Sequence, residues 1–313
     1  MKKQFYILII CCIYFTSCEN KTTTINQEQQ PELIIEATSF SGEKLYQRKA
    51  DATSLAKYQK IIEALDSKSE KTEKDFIELG NAYATIFQYQ NAIKTFNAGL
   101  TQFPESYKLL RYKAHRLLNT RKVEEAMVDL DKAIALINES NKDELEYYED
   151  GKVKGTYEFW IYYHIGLGHY LNKDYPAAVD AFKNCVNTVV TAKNKVGATD
   201  WLYNSLQLAG DSTAANDLIE SFIFDEGTDM KYPYASRILF YKREVKPEEL
   251  VDFNKPSKDW TGSDITNAYG IGNWYKFNGE MEKGIDIHKK ILDSKYWNAW
   301  AYVVADRELA EGD

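Results

Sequence analysis

The sequence predicts an all-α, right-handed superhelix of about five to six helix pairs with a capping helix at each end. Three observations carry this. A pattern of small and large residues recurs at a spacing of 34 along the 313-residue chain. Amphipathic segments flank the repeating part on both sides. No stretch shows convincing strand alternation. Composition agrees, with 44% hydrophobic and 27% charged residues and only 6 Pro, which is globular rather than disordered or multi-span. A formal net charge of −8 argues against nucleic acid as a partner, since phosphate binding draws on clustered Lys and Arg.

Residues 1–17 open with Met1-Lys2-Lys3, continue through the apolar run Phe5 to Phe15 and end in Thr16-Ser17 before Cys18. That run is too short to span a bilayer core, which needs roughly 20 residues. It reads as a signal peptide. Phe15-Thr-Ser-Cys18 resembles a bacterial lipobox, with Phe15 where Leu is commoner. The resemblance implies cleavage before Cys18 and lipid on its thiol and new amine, hence membrane contact through a lipid anchor only. Glu19 beside it points by analogy to the outer membrane, so the expected address is the cell envelope. Removing residues 1–17 also removes Cys11 and Cys12, and lipid consumes Cys18. Only Cys185 is then left, so no intrachain disulfide forms. Residues 18–43 are polar and read as a flexible tether.

Residues 44–72 form an N-terminal capping region. Its helix, 52–66, places Leu55, Tyr58, Ile61, Ile62 and Leu65 on one face. The superhelix then occupies 73–313. In the first repeat, 73–106, Phe76, Leu79, Gly80 and Tyr83 are followed by Ala92, Phe96 and Pro104. Small residues belong where two helix axes come closest, and proline ends the second helix. This resembles the tetratricopeptide pattern, with Phe76 in the place of its Trp. A second repeat fits 107–140 through Leu110, Ala114, Leu117, Ala126, Leu130 and Ala133. A third fits 159–192 through Tyr162, Ile165, Gly166, Ala178, Phe182 and Cys185. A fourth fits 196–229, and a late one fits 265–298. The interval between them leaves room for a degenerate repeat at about 230–264, with helices at about 232–242 and 247–254. Residues 141–158, rich in Tyr and acids, read as an inserted loop. A closing helix is expected at 297–309, with Trp297, Trp300, Val304 and Leu309 on one face. The stretches Tyr269–Gly279, Thr199–Tyr203 and Arg111–Arg116 also resemble a family of bacterial secreted or membrane-associated tetratricopeptide proteins without a settled activity.

The resemblance implies that positions 2, 5 and 9 of each repeat line a concave groove. Position by position, this places Ile77, Leu167, Gly197 and Thr266 there together with the partner-binding candidates Lys74, Asn81, Lys108, Arg111, His115, Trp160, Tyr163, Asp200, Asn204, Tyr269 and Asn273. Such a groove is cationic at its N-terminal half, aromatic in the middle and rich in amides toward the end. Cations suit a carboxylate and Asn amides clamp a peptide backbone, so an extended peptide with an acidic end near the second repeat fits. The alternative is that Arg111, His115 and Arg116 pair with acids of neighbouring helices. The two-carboxylate clamp of chaperone-binding relatives does not carry over, because only Asn81 matches it.

Catalytic signals are lacking. His164 and His169 stand five apart, not the four of a helical zinc pair. Gly166 and Gly168 lie within a helix, so they form no phosphate loop. The acidic run at Glu144–Asp150 lacks calcium-loop spacing. Cys185 falls at a packing position, as a buried inert thiol. No cofactor and no metal are expected. The function read from the sequence is a non-enzymatic, membrane-anchored scaffold or adaptor that binds a protein or peptide segment. Capture of a glycan or peptide solute for an envelope transporter is the rival, and an accessory subunit of an envelope enzyme a third possibility.

Overall fold

The computed structural model describes residues 33–310. The expected signal segment 1–17, Cys18 and most of the expected tether lie outside the described residues. A lone helix, α1 (Ala52–Asp66), precedes six helix pairs. These are α2 (Glu73–Thr85) with α3 (Tyr89–Gln102), α4 (Tyr107–Asn119) with α5 (Val123–Ala135), and α6 (Tyr157–Leu171) with α7 (Tyr175–Asn187). They continue with α8 (Ala192–Leu208) and α9 (Ser212–Ser221), α10 (Pro233–Tyr241) and α11 (Pro247–Leu250), and α12 (Gly262–Phe277) and α13 (Met281–Leu292). A final helix, α14 (Trp300–Leu309), ends the described chain. The architecture is an all-α solenoid of tetratricopeptide type. Among the described residues, no helix is long and apolar enough to cross a membrane.

Local chemistry sets the helix ends. Thr72 and Thr261 start α2 and α12 with capping boxes to Asp75 and Asp264. Ser106, Thr156 and Thr191 cap α4, α6 and α8 through their hydroxyls. Each pair turns through one residue with left-handed backbone: Phe87, Arg121, Lys173, Gly210, Arg243 and Gly279. Glycine adopts that conformation freely, while each of the other four stores about 1 kcal/mol or more of strain. The tight turns persist because packing across each pair holds them.

That packing follows one rule. A small residue on the first helix faces a large one 16 positions later on the second. A Cβ added to Gly80 would stand 2.2 Å from the Phe96 ring, and one added to Gly166 2.7 Å from Phe182. Ala114 and Leu130 make the same pair, both fully buried. Gly272 meets His288 at the corresponding place. There the histidine sits among polar groups, its Nδ1 2.8 Å from Glu308 Oε2 and its Nε2 3.2 Å from the Tyr269 carbonyl.

The structure corrects the expectation of a strand-free chain at two places. Residues at the end of the expected tether form β1 (Ile35–Thr38), antiparallel to β2 (Lys44–Tyr46), with Ala37 and Leu45 buried beneath. The expected loop 141–158 is a second hairpin, β3 (Leu145–Tyr147) with β4 (Val153–Thr156). Asp150-Gly151 sits in its turn, where Gly151 takes φ 79°, a conformation Asp-Gly favours. The helix expected at 247–254 stops at Leu250. Pro256 disfavours helical backbone at Lys255, and a short 3₁₀ turn follows at Ser257–Asp259.

The two ends of the solenoid are tied to its body. Trp297 Nε1 donates to the Tyr46 carbonyl (2.8 Å), and Arg48 Nη1 donates to Asn298 Oδ1 (2.7 Å). The α14 residue Asp306 accepts from Arg121 Nε in the α4–α5 turn (3.0 Å) and from the Phe40 amide (3.3 Å). Arg307 donates to the Leu171 carbonyl at the end of α6 (2.9 Å). Thus α14 bridges the second, third and last helix pairs and the first hairpin.

Candidate functional site

The first helices of repeats three to six do not present the expected groove residues to an open groove; the cleft of about 330 Å³ that α8, α10 and α12 border, around Tyr203, Tyr241 and Trp274, lies at their C-terminal ends. These helices face one another. The hydroxyls of Tyr170 on α6 and Tyr269 on α12 lie 2.6 Å apart. Asn273 on α12 donates to Asn204 Oδ1 on α8 (2.9 Å). Trp201 Nε1 donates to the Tyr163 hydroxyl (2.8 Å). Arg237 Nη2 of α10 stands 2.9 Å from Asp200 Oδ2, both buried. Burial pushes Asp200 up to about 7, against the pull of Arg237. Tyr163, Asp200, Asn204, Tyr269 and Asn273, expected on a ligand surface, are therefore interior residues. The physical reason is the tight winding of the solenoid, which brings side chains 69 to 103 residues apart into hydrogen bonding.

Three more expected groove residues, Arg111, His115 and Trp160, are covered by other elements. Arg111 is 1% exposed and meets Glu146 of β3 at 3.2 Å, with its guanidinium 4.4 Å from the Tyr112 ring centroid and 5.3 Å from that of Trp160. His115 is half-buried, its ring 4.5 Å from His164 and stacked 5.4 Å from Trp300. Trp160 is half-buried and packs edge-on to Phe159 and Tyr163. The acid that meets Arg111 comes from the inserted hairpin, not from a neighbouring helix.

Lys74, Asn81 and Lys108 remain on an open surface. They line a cleft of about 650 Å³ between α1, α2, α4 and the β3–β4 hairpin. Ile77 gives this wall an apolar centre, and Tyr112 and Tyr157 floor it. Across from them stand Tyr147, 56% exposed, and Tyr148, 39% exposed. The rim is closed at one point: Lys57 and Tyr58 of α1 both bond Glu149 at the hairpin tip, the tyrosine at 2.7 Å. Those bonds hold Glu149 below the ordinary carboxylate range. Lys108 and Tyr107 both bond Glu144, which fixes the base of the hairpin. A second cleft of about 340 Å³ adjoins, with Asn81, Thr85, Tyr112, Arg116, Tyr147, Tyr148 and Lys154 on its walls.

Lys57, Tyr58, Tyr147, Tyr148, Glu149 and Lys154 were not among the groove residues expected from the sequence. The Asp150-Gly151 turn flanked by tyrosines was the available signal for the hairpin that presents most of them. No cluster of His, Cys, Asp or Glu suited to a metal occurs among the described residues. Cys185 is fully buried, and burial pushes its thiol well up, away from the reactive thiolate.

No family model matches the chain, and neither does any curated protein. Solved structures resemble it in fold. A tetratricopeptide repeat protein from Parabacteroides merdae is 13% identical, over 76% of this chain and 85% of that one, with a TM-score of 0.47. The C-terminal part of a tetratricopeptide repeat-containing protein from Cytophaga hutchinsonii is 13% identical, over 77% and 90%, at 0.42. YrrB, described as a tetratricopeptide protein with an unusual peptide-binding site, is 13% identical, over 75% and 91%, at 0.40. Likeness at this level carries no functional argument, and the fold assignment rests on the chain's own helix pairs.

Proposed function

We propose that the protein is a non-enzymatic interaction module that holds a protein or peptide segment in the cleft between α2, α4 and the β3–β4 hairpin. It is tethered to a membrane of the cell envelope by lipid on Cys18. The observation that carries the binding reading is the contrast along the concave side. From the third repeat on, polar side chains there meet one another inside the fold. At the N-terminal cleft, Lys74, Asn81, Tyr147 and Tyr148 face solvent around an apolar strip. Exposed aromatics beside an amide and cations suit an extended backbone with acidic side chains.

Selection from a random peptide library on the full chain tests this, with Asn81→Ala and Lys74→Glu/Lys108→Glu as counter-variants. Selected peptides should lose at least tenfold in affinity for both. Peptides that bind the counter-variants equally well would place binding elsewhere. Capture of a glycan is the second reading, favoured by the exposed Tyr147 and Tyr148 rings, which can stack on sugar faces. Binding of oligosaccharides but of no peptide, abolished by Tyr147→Ala/Tyr148→Ala, would establish it instead. The lipid anchor is tested separately: Cys18→Ala should leave the precursor unprocessed and unlipidated, and normal processing would refute it.

A further inference from the structure

The second cleft ends on an unusual concentration of positive charge. Glu146 is the carboxylate at its base. It already meets Arg111 at 3.2 Å, bonds Lys154, and accepts from the Tyr112 hydroxyl at 2.7 Å. Arg116 is not paired with any carboxylate among the described residues. Its guanidinium instead donates to the His115 ring (2.7 Å) and faces the Tyr89 ring at 5.6 Å. Arg111 and Lys154 thus share Glu146, Arg116 adds a third cation beside them, and the other acid on the cleft, Glu149, is taken by Lys57. The two imidazoles nearby do not help, since burial and then the neighbouring cations push His115 and His164 well down into the neutral form.

The donors are also underused. Nε and Nη1 of Arg111, which is 1% exposed, and Nε of Arg116 have no hydrogen-bond partner. Burying unpaired cationic donors is costly unless an anion answers them. Two guanidinium groups and an ammonium around one small space are suited to an oxyanion, because Arg offers paired N–H donors at carboxylate and phosphate spacing. The place is reachable: Arg116 and Lys154 stand on the cleft wall with Thr85, Tyr147 and Tyr148.

We infer that this cleft is an oxyanion site in which Arg116 and Lys154 contact a carboxylate or phosphate group and Arg111 supports them from behind. Glu146 competes with the ligand for the same cations. The site deepens the reading of the adjoining cleft as a ligand surface, yet it can be tested without any peptide.

The experiment titrates the full chain with inorganic phosphate and, separately, with a short Asp-rich peptide, by calorimetry and thermal unfolding. Phosphate should bind and raise the unfolding temperature. Arg116→Gln and Lys154→Gln should each weaken binding at least tenfold, while Arg116→Lys keeps part of it. Glu146→Gln should tighten binding several-fold. A purely structural cluster does not produce that gain, even if the variant is less stable. Lys132→Gln, on α5, should bind as the parent does. If the Asp-rich peptide competes with phosphate, the natural anion is a peptide carboxylate. If phosphate binds and the peptide does not compete, the site takes a free anion and stands whatever the larger cleft holds, which the library selection decides. No response to either anion, or equal binding by Arg116→Gln, overturns the inference.

Discussion

Asp306 offers the sharpest test of how the solenoid is closed. Its carboxylate and the Arg121 guanidinium are 3% and 4% exposed, 3.0 Å apart. Arg121 also occupies the strained left-handed turn position of the second repeat (φ 68°) and donates to the Asn119 carbonyl at 2.6 Å. Burial pushes Asp306 above the ordinary carboxylate range, with Arg121 pulling it back. Replacing Asp306 by Ala leaves Arg121 buried without its counter-charge and frees the Phe40 amide. Breaking a buried pair from one side costs about 3–5 kcal/mol. In a repeat protein that loss should appear first as local opening. Hydrogen exchange should therefore accelerate by roughly two orders of magnitude or more in α14 and the 35–46 hairpin, where 1.4 kcal/mol is a factor of ten. Helices α7 to α9, remote from the pair, should change far less. Denaturant unfolding of Asp306→Ala against Asp150→Ala, an exposed surface control, gives the equilibrium figure. A loss below about 1 kcal/mol for Asp306→Ala, or exchange that quickens uniformly, would refute the closure argument.

Other consequences follow from particular contacts. Gly80→Ala should destabilise by about 1–2 kcal/mol in denaturant unfolding despite the better helix propensity of Ala, because the new methyl meets the Phe96 ring; Phe96→Leu in the same chain should recover part of the loss. Burial raises the Glu308 carboxyl, but His288 and Lys276 outweigh it and hold it at about 2, below its ordinary 4.5. A depressed acid contributes stability that is full above the unfolded value and is lost as pH falls through the folded one. The parent should thus lose about 3 kcal/mol between roughly pH 4.5 and 2, and Glu308→Gln should show a shallower acid slope. Arg237→Met should cost about 3–5 kcal/mol by stranding Asp200, whereas changing both partners to apolar residues should cost less. Glu149→Ala should leave thermal unfolding nearly unchanged, yet speed hydrogen exchange in the 145–156 hairpin by releasing Lys57 and Tyr58.

The helix pairs were legible in the sequence because their packing is local. Gly80 with Phe96, Ala114 with Leu130 and Gly166 with Phe182 repeat one spacing, and any reader of that spacing obtains the hairpins. The two β-hairpins were hidden because tyrosine-rich and polar strands carry no apolar alternation. Only the turn glycines Gly42 and Gly151 betray them. The groove was misjudged for a different reason. Positions 2, 5 and 9 do point inward, but whether inward means solvent depends on how tightly the solenoid winds. That depends on contacts such as Asn204 with Asn273, 69 residues apart, which no local pattern encodes. Arg111 illustrates the third case: expected on the groove, it is buried against Glu146, which comes from the segment taken for a loop.

The central claim is that, among the described residues, Asp200, Asn204, Tyr269 and Asn273 are sealed inside the fold while Lys74, Asn81 and Lys108 line an open cleft. Site-resolved thiol labelling of single variants tests it most directly, read by peptide mass spectrometry so that the native cysteines do not interfere. Lys74→Cys and Asn81→Cys should be modified quickly in the native protein, while Asn204→Cys and Asn273→Cys should stay unmodified until denaturant opens the fold. Native-state labelling of Asn273→Cys as fast as that of Asn81→Cys would contradict the account.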